Sequence, residues 1–344
     1  MTLPFEIIII IIESLDDPDS RAALAALSAT AEPLLRLLEH PLQTISSARV
    51  ESLNITHTRY PPATFNRLLT WQKLDSGWTF SSMVPCLKQL SLNWVGWWTL
   101  TGESKRRLLD EFRTVTHLQL FMTAFDTYDD FLPFLSSFPA LEVLDLDTVR
   151  PALHWEPTTT LDGNSLPLNL RKICLGQIDD WRMIDSLVPC RGLESLTCRF
   201  RDFDATPAQC MVAINRLLES AGHSLLNFEF AIEEYRSRLD SSRDDMTLDL
   251  SKNPALRSLS LSPYHILPTL ATLTRCRDPT QLTSVCLPRH AGLDWERLDM
   301  ILSCHPSFGS LVEVLVEERV SDSGVVLNPR ALMPLCDEKG LLRA

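Results

Sequence analysis

The sequence predicts an α/β solenoid, a curved parallel sheet backed by helices, preceded by a small all-α module. Two observations predict it: an apolar phrase that returns ten times, and apolar stripes at helical spacing in the intervals between. The phrase is a loosely kept Leu-x-x-Leu-x-Leu. It opens at Val50 (then Leu53, Ile55), Leu87 (Leu90, Leu92), Val115 (Leu118, Leu120), Leu141 (Leu144, Leu146) and Leu170 (Ile173, Leu175). It opens again at Leu193 (Leu196, Cys198), Leu225 (Phe228, Phe230), Leu256 (Leu259, Leu261), Leu282 (Val285, Leu287) and Leu311 (Val314, Val316). The nine intervals between Val50 and Leu311 span 261 residues, a mean of 29, with steps from 23 to 37.

Side chains alternate between the faces of a strand, so the second and third apolar positions of each phrase point into the core together. The first sits three residues earlier, where the chain turns into the strand. The covering segments follow from apolar periodicity over Lys105 to Phe112, Asp129 to Phe138, Trp181 to Val188, Pro207 to Ser220 and Trp295 to Cys304. The best formed runs from Thr206-Pro207 to Leu218: a Thr cap, Pro at the first position, then Met211, Ile214, Leu217 and Leu218 on one face. Leucine-rich repeats that pair one strand with one helix have this length. No single repeat could bury its own core, so the units must stack.

Ahead of the repeats, residues 1–45 read as three short helical pieces. Leu3-Pro4 opens the first, Glu6 lies in its first turn, and Ile7, Ile8, Ile11, Ile12 and Leu15 recur at helical spacing. Asp16-Asp17-Pro18-Asp19 breaks it. Arg21 to Leu27 follows as the second helix and Pro33 to Glu39 as the third, ended by His40-Pro41. The organisation is therefore a helical module over 1–45, irregular repeats over 46–330 and a closing segment over 331–344. Ile9 and Ile10 carry the first helix's stripe nearly all round, more apolar surface than so small a module covers, which implies a partner. Packing of these isoleucines on the first repeat is one alternative; a strand of β-branched residues is another.

These residues resemble the F-box family, in particular the fungal set that joins a short, divergent F-box to irregular leucine-rich repeats. The likeness rests on Leu3-Pro4-x-Glu6-Ile7-Ile8, on Ile11, Ile12 and Leu15, and on Asp17-Pro18 leading into Leu24 and Leu27. At the other end, Ala331-Leu332-Met333-Pro334-Leu335 to Glu338-Lys339-Gly340-Leu341-Leu342 resembles the closing segment of that set. Where the family often carries Cys-Ala-Leu-Val-Cys and then a tryptophan, this chain has Ala25-Ala26-Leu27-Ser28-Ala29 and then Glu32. The resemblance implies that Leu3, Pro4, Ile7, Ile8, Ile11, Ile12 and Leu15 dock on a Skp-type adaptor, itself held by a cullin in an SCF-type ubiquitin ligase. It also implies that the repeats hold a protein substrate.

The outward strand positions define where that substrate would lie, on the concave face of the array. They run from Ser52 and Asn54 to Glu313 and Leu315, and the middle of the face collects Gln119, Phe121, Asp145, Asp147, Lys172, Arg199, Arg201 and Glu229. Mixed charge suits a protein partner, since opposed signs set register. Pairing of these charges between neighbouring strands is the competing reading. Trp94, Trp97 and Trp98 follow the second phrase, either as interface anchors or as a plug at a repeat junction. The polar insertions Pro151 to Pro167 and Glu233 to Asp245 are candidate contact loops or tolerated surface.

Composition narrows the classes further. The net charge of −12 argues against nucleic acid, and Lys105-Arg106-Arg107 reads as a solvated helix face. The longest apolar run, Ile7 to Ile12, is far short of the roughly 20 residues that cross a bilayer, so no membrane span is expected. Nine scattered cysteines without a Cys-x-x-Cys pair point to reduced thiols in cytosol or nucleus, and neither metal nor cofactor is expected. With no Gly-rich phosphate loop, Gly-x-Ser-x-Gly elbow or His-Glu-x-x-His, the expectation is a non-enzyme. The acid pairs Asp129-Asp130, Asp179-Asp180 and Asp244-Asp245 read as caps. A ligase-independent scaffold or inhibitor using the same face is the alternative, favoured by the degenerate second and third helices.

Overall fold

A computed structural model of the chain describes residues 26–30, 35, 38, 50–56, 62–151, 166–178, 180–200, 207–232, 247–276, 280–290, 292–317 and 328–343. The chain divides into two compact units, Met1–Leu170 and Arg171–Ala344.

In the first unit the elements are β1 (Ala26–Thr30), β2 (Ser52–Thr56), α1 (Pro62–Leu69), α2 (Phe80–Met83), β3 (Gln89–Asn93), α3 (Gly102–Glu111) and β4 (His117–Phe121). They continue with β5 (Ala124–Phe125), α4 (Tyr128–Ser136), β6 (Val143–Asp147) and β7 (Arg150–Pro151). Strands β1, β2, β3, β4 and β6 pair in that order, all parallel, while β5 and β7 form a second short parallel pair. The register aligns Leu53, Leu90, Leu118 and Leu144 on successive strands. All of the phrase positions expected to face the core do so, none more than 8% exposed in either unit.

The turn into each strand has one repeated geometry. The leading residue of the phrase donates its N–H to the carbonyl three residues back, as Leu87 does to Val84, Val115 to Phe112 and Leu141 to Phe138. A carbonyl just before the strand then accepts two successive N–H groups from the next repeat. Glu51 accepts from Lys88 and Gln89, and Lys88 in turn from Thr116 and His117. Each repeat thus fixes the register of the next through the backbone, whatever the outward side chains are.

Behind the strands the covering helices bury their apolar faces. Leu108 of α3 and Phe131, Leu132, Phe134 and Leu135 of α4 are inaccessible or nearly so. Trp97, Phe125 and Phe134 stack within 5.2 to 5.5 Å of one another, and Lys105 Nζ lies 5.3 Å from the Trp97 ring. Of the basic run expected as a solvated face, only Arg106 is exposed; Lys105 and Arg107 are partly covered, Lys105 meeting Asp126 at 3.4 Å, while Arg106 and Arg107 both bind Glu103 and Arg107 also binds Glu111.

One expectation for the N-terminal module is corrected. The second helix was to end at Leu27, but Ala26–Thr30 is a strand paired in register with Ser52–Thr56, so the module is not all-α. An edge strand presents a row of unpaired N–H and C=O groups, and satisfying those of β2 outweighs the helix preference of an Ala-rich stretch. Leu35 and Leu38 are helical and buried, within the third expected helix. Leu3, Pro4, Ile7, Ile8, Ile11, Ile12 and Leu15 lie outside the described residues, as does almost all of both insertions.

The second unit holds β8 (Lys172–Leu175), α5 (Trp181–Asp185), β9 (Ser195–Phe200), α6 (Pro207–Ala221), β10 (Asn227–Ile232), β11 (Ser258–Leu261) and α7 (Pro263–Leu273). It closes with β12 (Ser284–Pro288), α8 (Trp295–Cys304), β13 (Glu313–Glu317), α9 (Pro329–Leu332), α10 (Pro334–Glu338) and β14 (Leu342–Arg343). Strands β8 to β14 pair in sequence order, all parallel. Helix α6 buries Cys210, Met211, Ile214, Leu217 and Leu218, and the buried Asn253 amide closes it by donating to the Leu218 and Gly222 carbonyls at 2.9 Å. The closing segment adds β14 to β13 and packs α9 and α10 on α8. No helix of the described residues is long and apolar enough to cross a membrane.

Candidate protein-binding face

Outward positions of the first ladder form hydrogen-bonded rungs across the strands. Ser91 Oγ donates to Gln119 Oε1 at 3.0 Å, and Gln119 Nε2 donates to Asp145 Oδ2 at 3.3 Å. One step along, Asn93 Nδ2 donates to Asn54 Oδ1 at 2.6 Å, and Thr148 Oγ1 donates to Asp147 Oδ1 at 3.0 Å. Gln119, Asp145 and Asn54 are held in one orientation by neighbours on the next strand, and Asp147 by Thr148 beside it in the chain, which lowers the entropy lost when a partner binds. Phe121 is half-buried, in line with Asp147, and its ring meets Trp94 edge-on at 6.4 Å.

In the second unit Lys172 is exposed at the start of β8. Arg199 of β9 and Glu229 of β10 stand diagonally across the two strands and pair through two bonds of 2.8 and 3.1 Å. That pairing supports the reading of neighbouring strands matching their own charges, and it raises the Arg199 pKa above its ordinary value, first through the Glu229 hydrogen bond. Cys286 donates to Glu317 Oε1 at 3.5 Å; burial, and then the Glu317 charge, push its pKa up to about 11. Burial pushes Cys198 well up too. Both are held as thiols, which removes them as ready nucleophiles.

Gln119, Phe121, Asp145 and Asp147 belong to the first unit, and Lys172, Arg199 and Glu229 to the second. Arg201 lies outside the described residues. Of the acid pairs, Asp130 and Asp180 do cap helices, Asp130 in a reciprocal box with Thr127 and Asp180 by accepting from Arg182 N.

No protein-family model matches the chain, and no curated protein matches it.

The tryptophan trio separates by role. Trp97 is core, 3% exposed, whereas Trp94 and Trp98 are 37% and 55% exposed. Spacing alone does not separate them: all three follow the same strand, and what differs is the backbone conformation at Trp94 and the short 3-10 turn at Trp97–Thr99.

Proposed function

We propose that this protein is a non-catalytic adaptor that holds a protein substrate on the outward face of its strand ladders within an SCF-type cullin-RING ubiquitin ligase. The observation that carries the binding part is the pair Gln119-Asp145, half-buried side chains joined across two strands and oriented from behind by the buried Ser91 hydroxyl, on a rigid ladder. Strands shared between repeats make such a face stiff, so its contribution to ligation would be effective concentration and orientation. The ligase part rests on the resemblance of Leu3-Pro4-x-Glu6-Ile7-Ile8 and its neighbours to an F-box.

A second reading, a scaffold or inhibitor independent of any ligase, is favoured by a specific observation. The segment expected to supply the second F-box helix pairs with β2 as a strand over Ala26–Thr30. Co-purification of the full chain with the Skp-type adaptor and cullin separates the two. Stoichiometric binding that is lost in a folded Leu3→Ala, Pro4→Ala, Ile8→Asp variant supports the ligase reading. An intact, folded chain that binds no adaptor rejects it and leaves the scaffold.

A further inference from the structure

Trp94, Met122 and Thr148 share an unusual backbone conformation. Their φ angles are 62°, 50° and 55°, the left-handed region, and they are the non-glycine residues found there among those described. Each stands directly after a strand of the first ladder, and the residues before them, Asn93, Phe121 and Asp147, are in register on β3, β4 and β6. The chain thus makes one corner three times. Trp94 N donates to Phe121 O and Met122 N to Asp147 O, both at 2.9 Å, so the corners are extensions of the ladder rather than loose loops. Beyond them the chain forms the second short ladder, Gly96 beside Ala124 and Ala124 beside Arg150.

A glycine would make this corner without strain, yet three successive repeats keep a side chain there. The corners present Trp94 beside Phe121, and the next residues present Trp98. The Trp98 ring lies against Gly96, where an added Cβ would come within 2.9 Å of it. Trp94 and the half-buried Phe121 thus form an apolar pair at the C-terminal ends of β3 and β4, with the exposed Trp98 four residues after Trp94 along the chain. The pair's neighbours on β6 are Asp145 and Asp147, and the outward positions of β2, β3, β4 and β6 contain no lysine or arginine. The formal charges at those outward positions are the two carboxylates of β6.

We infer that this edge of the first ladder binds an extended segment of a protein partner carrying an aromatic or long aliphatic side chain and, a few residues along, a lysine or arginine. The apolar side chain packs on Trp94, Trp98 and Met122, and the basic one meets the carboxylates of β6. Neighbouring strands lie about 4.8 Å apart, so from β3 to β6, two strands on, is about 10 Å. An extended chain covers that in about three residues, which sets the spacing of the two anchors. The inference rests on the reading of the ladder face as protein-binding and names the chemistry it selects.

Selection of short random peptides displayed on phage against the full-length chain tests it, with the winning peptide then synthesised and its affinity measured. The expected winners pair an aromatic or aliphatic residue with lysine or arginine two to four positions away, a span of about 10 Å, and bind more weakly as salt is added. Trp94→Gly removes the ring from a corner that glycine fits, and Asp147→Asn keeps the carboxylate's shape. Each should weaken binding by about tenfold or more while the thermal midpoint holds. Winners without a basic residue, or winners indifferent to both variants, overturn the inference. If such winners are lost instead in Arg199→Ala, the second ladder is the binding face and the broader reading survives. A dimer that Trp94→Gly abolishes overturns it as well, since the edge would then serve self-association. The adaptor co-purification is read separately, so failure of the ligase reading is distinguishable from failure here.

Discussion

His265 shows how one side chain can tie stability to pH. It sits one turn into α7, 3% exposed, with Ser262 Oγ 2.9 Å from its Nδ1 and the Phe230 ring edge-on at 4.8 Å. Burial lowers its pKa from 6.5 to about 4. Above the unfolded value the imidazole is neutral in both states and contributes no slope. As pH falls from about 6.5 to about 4 the unfolded chain takes up a proton that the folded chain refuses, so stability drops by about 3 kcal/mol. Urea unfolding across that range should show the loss, and a folded His265→Gln variant should show a shallower slope by about that amount; equal slopes in the two proteins would refute the assignment. At this scale the strand phrases were legible and the corners were not. Period two is written in the residues themselves, since burial selects Leu53 and Ile55 and leaves Asn54 out. A left-handed φ at Trp94 or Met122 leaves no such mark, because the ladder bond from the next strand imposes it.

Elements were legible where a helix carries its own punctuation and illegible where a neighbour decides. Helix α8 matches its expected span, Trp295 to Cys304, and Asp294 caps it by accepting from Arg297 N at 3.1 Å. Helix α7 escapes a periodicity reading because Pro268 interrupts it, and the segment survives as a helix because Ile266, Leu270 and Leu273 are buried. The short closing elements depend on one buried carboxylate. Asp299 of α8, 3% exposed, accepts from Leu335 N and Cys336 N at 2.8 Å each, supplying from another helix the cap that α10 lacks. Asp299→Ala leaves two N–H groups unsatisfied at a helix start, a loss of about 2–4 kcal/mol for charge-assisted bonds. Asp299→Asn, which keeps an acceptor, should lose less. Amide exchange in α10 and β14 is the readout, and unchanged protection there in Asp299→Ala would show that packing of Met333 and Cys336 alone holds the segment.

For the molecule as a whole, ten returns of one phrase made the ladder legible, because each repeat solves the same burial problem with the same three positions. The division after Leu170 was not: the step into Leu170 from Leu141 is 29 residues, the mean, and the step out to Leu193, at 23, is the shortest but only three residues under the next. Stability of stacked repeats is close to a sum of local terms and nearest-neighbour interfaces. In the first unit β3 and β4 have a strand on each side, whereas among the described residues β1 has one neighbour and β14 ends the second ladder. Amides of β3 and β4 should therefore exchange more slowly than those of β1 and β14. Leu118→Ala, at a fully packed position of β4, should cost about 2–5 kcal/mol. In a nearest-neighbour array that loss speeds exchange in β3, β4 and β6 and leaves β12 and β13 as they were. If exchange instead rises equally in every strand, the repeats unfold as one cooperative body, and the additive picture fails for this chain.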